Sequence, residues 1–285
     1  VANFTPGVTL ATDANGTPLT LNGQTLFLFF GAGGTDHTII EAKTGPTGDV
    51  GFTIDIDPVT DSYTLTVNGI ISNGSEIFIT DLSGPGGSNT TYKALASTDV
   101  DPHNDVLVST IPGHSVNSNA NVIGDGTGQS FEDGDILRFD FVNDLVEDAG
   151  ELSGFAYSSH NLATKFRQTV GFVQGSSSNT ATLTVAAFIA DDDQLFIGDA
   201  VGETQVSLNS SDITVFNEFG VDVTGSVTLT DNGDTITIAG IKEGWDFQIE
   251  STTAFSAVMV DAIEASTPHP FKLGAFSFLS QGVAD

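Results

Sequence analysis

Acidic side chains gather in four short stretches of this chain, each beside glycine or asparagine. The first is TDVDPHND, with Asp99, Asp101, Asn104 and Asp105. The second, IGDGTGQSFEDGD, holds Asp125, Glu132, Asp133 and Asp135; the third, DFVNDLVED, holds Asp140, Asn143, Asp144, Glu147 and Asp148. The fourth is ADDDQLFIGD, with Asp191, Asp192, Asp193 and Asp199. Ca²⁺ takes roughly six to eight oxygens at about 2.3–2.6 Å from carboxylates, amide oxygens and backbone carbonyls. Alternate acids beside glycines supply that mixture, because glycine lets carbonyls turn inward. Any one run also reads as a turn or a solvated edge. Together they point to several Ca²⁺ ions, with Asp99, Asp101, Asp105, Asp125, Asp133, Asp135, Asp140, Asp191, Asp193 and Asp199 as expected ligands. Asp191–Asp193 stand out, since three adjacent like charges between apolar strands repel one another without a cation. Asp55, Asp57 and Asp61 read instead as a solvated strand face.

Catalytic templates are missing. The chain has no HExxH, no GxSxG elbow, no P-loop and no GxGxxG between strand and helix. The five histidines (37, 103, 114, 160 and 269) show no metal-ligand spacing and read as surface or turn residues. A two-carboxylate glycosidase stays open in principle, but with 37 acids the choice of a pair is arbitrary. No run fits the EF-hand spacing, and GAGGTDH (31–37) is a lone half-match to the glycine-rich nonapeptide of β-rolls. The expectation is a binding module, not an enzyme.

Charge narrows the partners. Against 37 acids stand 7 Lys+Arg, a formal net charge of −30. Such a surface repels nucleic acid and anionic membrane, and it repels itself unless salt or divalent cations neutralise it. Of the acids 27 are Asp and 10 are Glu, a bias toward turns and loop-borne ligands over helix surfaces. With no cysteine, disulfides and thiolate sites are out, and bound Ca²⁺ is the alternative staple for an extracellular chain. No apolar run reaches membrane-span length. The N-terminus carries no signal-peptide pattern, which reads as an excised piece or a mature product.

The elements that must position these acids are strands. GFTIDID (51–57), SYTLTV (62–67), SEIFIT (75–80), TATLTVAAFI (180–189), SVTLT (226–230), TITIAGI (235–241) and WDFQIE (245–250) alternate with period two. Five Asn-Gly pairs punctuate them, and Asn232 between TLT and TITI predicts a two-residue hairpin. QGSSSNT (174–180) reads as a hairpin tip, and a turn or two of helix is expected near 144–152. The fold class is all-β, an antiparallel, jelly-roll-like β-sandwich stabilised by calcium with few short helices. A Gly/Ser/Asn-rich loop, SGPGGSNTT (83–91), separates a first strand group from the rest. The boundary is placed near 98: an N-terminal β module over 1–98, completed by C-terminal strands if not independent, and a ligand-binding sandwich over 99–285.

In DILRFDFV, Leu137, Phe139 and Phe141 share one face of a strand, Arg138 and Asp140 the other. The plain reading is an exposed ion pair; the functional one has Arg138 placing Asp140 for a cation or clamping a ligand carboxylate. Trp245 and Tyr157 have the shape to stack on a ligand, with core or rim packing the simpler role.

The run VNSNANVIGDGTGQSFEDGDILRFDFVNDL resembles part of the ligand-binding regions of large repeats-in-toxin (RTX) adhesins of Gram-negative bacteria. The family-like positions are Gly124–Gly128, Phe131–Asp135 and Leu137–Val142, with Asp135 standing where Glu is usual. PFKLGAFSF (270–278) looks like the closing strand of such modules, and FTIDIDPVTDSYTLTV (52–67) like their tandem-repeat neighbours. The resemblance, closest to the family's peptide-binding domain, implies an extracellular, cell-surface, Ca²⁺-dependent module that grips a partner's C-terminal carboxylate. Gly124, Asp125, Gly126, Gly128, Gln129 and Arg138 would then line the ligand site. A glycan, through vicinal hydroxyls on Ca²⁺, fits the same chemistry, and a rigid extender that binds nothing is the structural alternative.

Overall fold

The computed structural model describes residues 4–12, 18–21, 24–31, 36–68, 71–72, 76–84, 91–95, 105–148, 153–190, 203–263 and 269–280. The chain divides into one unit of residues 1–75 with 280–285 and a second of residues 76–279. Both are built from antiparallel sheets.

In the first unit, Phe27–Phe30, Asp36–Lys43, Val50–Asp57 and Ser62–Val67 follow one another as a four-stranded meander. Its small core gathers Leu21, Leu26 and Ala42. Asp55, Asp57 and Asp61 are exposed, and Asp57 Oδ1 accepts from the Val59 amide at 2.8 Å. That is the solvated strand end and turn expected of them.

The second unit has nine principal strands: β1 (Ile123–Asp125), β2 (Ile136–Asn143), β3 (Ala163–Val173), β4 (Ala181–Ile189), β5 (Ile213–Phe216), β6 (Ile236–Ile241), β7 (Asp246–Phe255), β8 (Ala257–Ala262) and β9 (Phe271–Ser280). They pair in the orders β1-β9-β3-β7-β5 and β6-β4-β8-β2. That is the order left when one long antiparallel hairpin is rolled across two sheets, the jelly-roll winding. Shorter strands extend the sheets. Asp105–Thr110 and Tyr92–Leu95 continue the second sheet beyond β2, Thr228–Asp231 flanks β6, and Glu76–Ile79 pairs with β9.

Between the two sheets lies a phenylalanine core. Phe141 of β2 stacks on Phe278 of β9 at 4.4 Å between ring centroids, and Phe139 meets Phe276 edge-on at 5.1 Å. Phe166 and Phe247 complete the layer, all fully buried. Each such ring contributes on the order of 1.5–3 kcal/mol of hydrophobic burial. Trp245 is core as well, its Nε1 donating to Glu218 Oε2 at 3.1 Å.

Four expectations change. The division falls after Ser75, not near 98, because Glu76–Ile79 and Tyr92–Leu95 hydrogen-bond into the sheets of the second unit. QGSSSNT is not a hairpin tip: it carries the chain from β3 in one sheet to β4 in the other. The turn at Asn232 spans four residues, since Asp231 pairs with Ile236 and the Asn232 amide donates to Thr235 O at 2.9 Å. Val146–Glu147 forms no helix but a short ladder with Phe155–Ala156.

Candidate functional site

At one end of the sandwich, three segments bring His114, Asp125 and Asp135 together. His114 closes the turn after strand Asp105–Thr110, its amide donating to Ile111 O at 3.0 Å, with Gly113 at φ 93° where a side chain would be strained. Asp125 is the last residue of β1, paired with Val116. Asp135 ends the FEDGD turn that launches β2; the Glu132 amide donates to its Oδ2 at 2.7 Å, and Gly134 supplies φ 83°. His114 Nδ1 then lies 2.8 Å from Asp125 Oδ2 and 3.6 Å from Asp135 Oδ1. One ligand atom from each of the three lies within 4.8 Å of the others.

Burial is graded across the trio. The Asp125 side chain is sealed at 0% exposure, that of Asp135 keeps 17%, and that of His114 is 40% open to solvent. Asp125 is fixed by the Thr110 hydroxyl at 2.8 Å and the Ser115 amide at 3.2 Å. Burial pushes the Asp135 carboxyl up to about 6; Asp125 and Glu132 add to this, and the Glu132 amide and His114 oppose it. Two carboxylates held this close are at odds unless a proton or a cation sits between them.

The glycine loop folds onto itself. Gly126, Gly128 and Gln129 take φ 75°, 79° and 60°. Two of its carbonyls bond within the protein: Gly126 O accepts from Asn117 Nδ2 at 3.0 Å and Gly128 O from Lys272 Nζ at 2.6 Å. Gln129 Nε2 donates to Asn117 Oδ1 at 3.1 Å. Gly124 is closely packed, since a Cβ there would stand 2.1 Å from Gln129 O. Gly124→Ala is therefore expected to cost about 1–3 kcal/mol, read by urea denaturation. A loss below about 0.5 kcal/mol would mean that the loop yields freely.

Arg138 and Asp140 are not an exposed pair. Arg138 donates through Nε and Nη2 to Asp140 Oδ1 at 2.9 and 2.6 Å, and through Nη1 to Glu203 Oε1. Burial works against the guanidinium's charge, but the two carboxylates outweigh it and hold its proton more firmly than usual. The outer face of this sheet is covered by a second, small apolar cluster. Tyr92, Leu107, Val142 and Phe155 form it, with Leu145 and Tyr157 against it, and the Tyr157 ring meets His160 edge-on at 5.0 Å. The pair expected to hold a cation or clamp a ligand carboxylate is a buried ion network.

Of the other expected metal ligands, Asp105 is buried and accepts from the Leu145 amide at 3.0 Å, and Asp133 is exposed in the FEDGD turn. Asp133 also adds to the burial that raises the carboxyl of Asp261. Asp99, Asp101, Asp191, Asp193 and Asp199 lie outside the described residues. So the structure joins Asp125 and Asp135, and adds His114, which by spacing reads as a surface or turn residue. His114 stands eleven residues before Asp125 and twenty-one before Asp135, a spacing with no local period to betray it.

No protein-family model matches this chain, and neither the curated proteins nor the solved structures give a match. What the site can do is therefore argued from its donors. Two carboxylates and one imidazole fall short of the roughly six to eight oxygens that Ca²⁺ takes, and Gly126 O and Gly128 O of the neighbouring loop each accept a hydrogen bond from another part of the protein. The trio suits a divalent cation with solvent in its remaining positions. The FEDGD turn also borders a cleft of about 300 Å³ lined by Phe131, Glu132, Asp133, His269 and Phe271.

Proposed function

We propose that residues 76–279 form a divalent-cation-dependent ligand-binding module of a secreted, cell-surface adhesin, one that grips the C-terminal carboxylate of a partner peptide. The observation that carries this reading is the graded trio: a sealed carboxylate, a half-buried one and a solvent-facing imidazole converge at one end of a rigid jelly roll. A cation there neutralises both carboxylates. It also reverses the local sign of a strongly acidic surface, so that a ligand carboxylate is drawn in rather than repelled. Acid-rich loops and scarce bases, with the resemblance to RTX adhesins, favour Ca²⁺ as a stabilising ion elsewhere in the chain.

A second reading has one observation in its favour. Gly126 O and Gly128 O of the glycine loop accept from Asn117 and Lys272 within the protein, as befits a spacer that any bound cation merely stiffens.

Both readings require a cation that binds the folded state, which must raise stability. Melting of EDTA-stripped protein, repeated with Ca²⁺, Mn²⁺ or Zn²⁺ restored in separate runs, is expected to move upward by several degrees with at least one ion. A melting temperature indifferent to all three contradicts both.

A further inference from the structure

The donors at the sandwich end point to a different class of ion from the one the acid-rich sequence suggests. We infer that His114, Asp125 and Asp135 hold a transition cation of the Zn²⁺ or Mn²⁺ class in preference to Ca²⁺; this deepens the cation-dependent reading above and rests on it. Donor type and number decide the ion class. Asp125 Oδ1 already takes the Ser115 amide, Asp125 Oδ2 takes the Thr110 hydroxyl, and Asp135 Oδ2 takes the Glu132 amide. The atoms that face one another are Asp125 Oδ2, Asp135 Oδ1 and His114 Nδ1. Two oxygens and one nitrogen make the three-point set that transition ions accept while keeping positions for water or a ligand. Imidazole nitrogen is a good donor to such ions and a poor one to Ca²⁺, which asks for oxygen alone.

The surroundings support this assignment. Each carboxylate is held through its far oxygen, Asp125 Oδ1 by the Ser115 amide and Asp135 Oδ2 by the Glu132 amide, the arrangement that orients metal ligands before the metal arrives. His114 is the most open of the three, so the unfilled coordination positions face solvent. The competing description of the same distances is a protonated His114 bridging two carboxylates, with no ion at all.

Calorimetric titration of tag-free, EDTA-stripped protein with ZnCl₂, MnCl₂ and CaCl₂ separates these descriptions. Wild type, His114→Ala and Asp135→Asn are compared, with circular dichroism to confirm that each is folded. One Zn²⁺ or Mn²⁺ per chain is expected, bound about 100-fold more tightly than Ca²⁺, and His114→Ala is expected to weaken it by about 100-fold. The visible band of the Co²⁺-loaded protein should vanish in the same variant. Ca²⁺ binding as tight as Zn²⁺, or Zn²⁺ binding untouched by His114→Ala, overturns the ion class while leaving a cation-dependent module standing. Binding of none of the three ions overturns both and leaves the trio as an ion pair.

Discussion

Arg138→Ala is expected to destabilise the 76–279 unit by about 3–5 kcal/mol, the range for removing one partner of a buried ion network. Side-chain exposures of 4% for Arg138, 6% for Asp140 and 9% for Glu203 place all three away from water. Losing the guanidinium takes from Asp140 and Glu203 the cation they share, leaving His160 Nε2, at 3.6 Å from Asp140 Oδ1, as the nearby group. Tyr92 already feels this: burial raises its phenol to about 12, and the Asp140 charge adds to the effect. Urea denaturation of the single variant measures the loss. A triple variant, Arg138→Met with Asp140→Leu and Glu203→Met, is expected to recover most of it, since apolar groups of similar volume replace such networks at little cost. A single-variant loss below about 1 kcal/mol, as for solvent-screened pairs, would contradict the buried network.

Asp135→Asn should act in opposite directions with and without cations. In cation-free protein the half-buried carboxyl is held up near 6 against an ordinary 3.8. The folded state thus binds its proton more tightly than the unfolded chain, so this group's contribution turns unfavourable as pH rises from about 4 through about 6. At neutral pH the amide removes that penalty, and a gain on the order of 1–2 kcal/mol is expected after discounting for solvent that still reaches the site. With a saturating divalent cation the sign reverses: wild type gains about 2.7 kcal/mol at a hundred times Kd, and the variant gains little. Paired melts with and without the ion test this. A variant that loses stability without cations, or that keeps the full cation-induced rise, contradicts the placement of Asp135 in the site.

The strands were legible because burial on one face leaves a period of two. Leu137, Phe139 and Phe141 were assigned to one face, and they are the core of β2. The opposite face reads differently in sequence and structure: Arg138 and Asp140 alternate as a solvated face would, yet both are buried, beside a cluster that joins Tyr92 and Leu107 to Val142 and Phe155, a long-range packing no local pattern predicts. Connections were less legible still. Polar composition marks the 174–180 turn, but only three-dimensional pairing tells whether the chain returns to the same sheet or crosses to the other. Two of the three site residues, Asp125 and Asp135, are legible in the glycine- and acid-rich run IGDGTGQSFEDGD. The third needs the turn at Gly113 and the pairing of Asp125 with Val116, which bring His114 to carboxylates distant in sequence.

Binding of short peptides to the protein, followed by fluorescence anisotropy, tests the central claim most directly. A labelled pool of random hexapeptides with free C-termini is compared with the same pool amidated, with divalent cation and after EDTA, on wild type and Asp135→Asn. Binding is expected only with free carboxylates, only with the cation, and only to the wild type. Equal binding of amidated and free peptides, binding that survives EDTA, or no binding in any arm would contradict it.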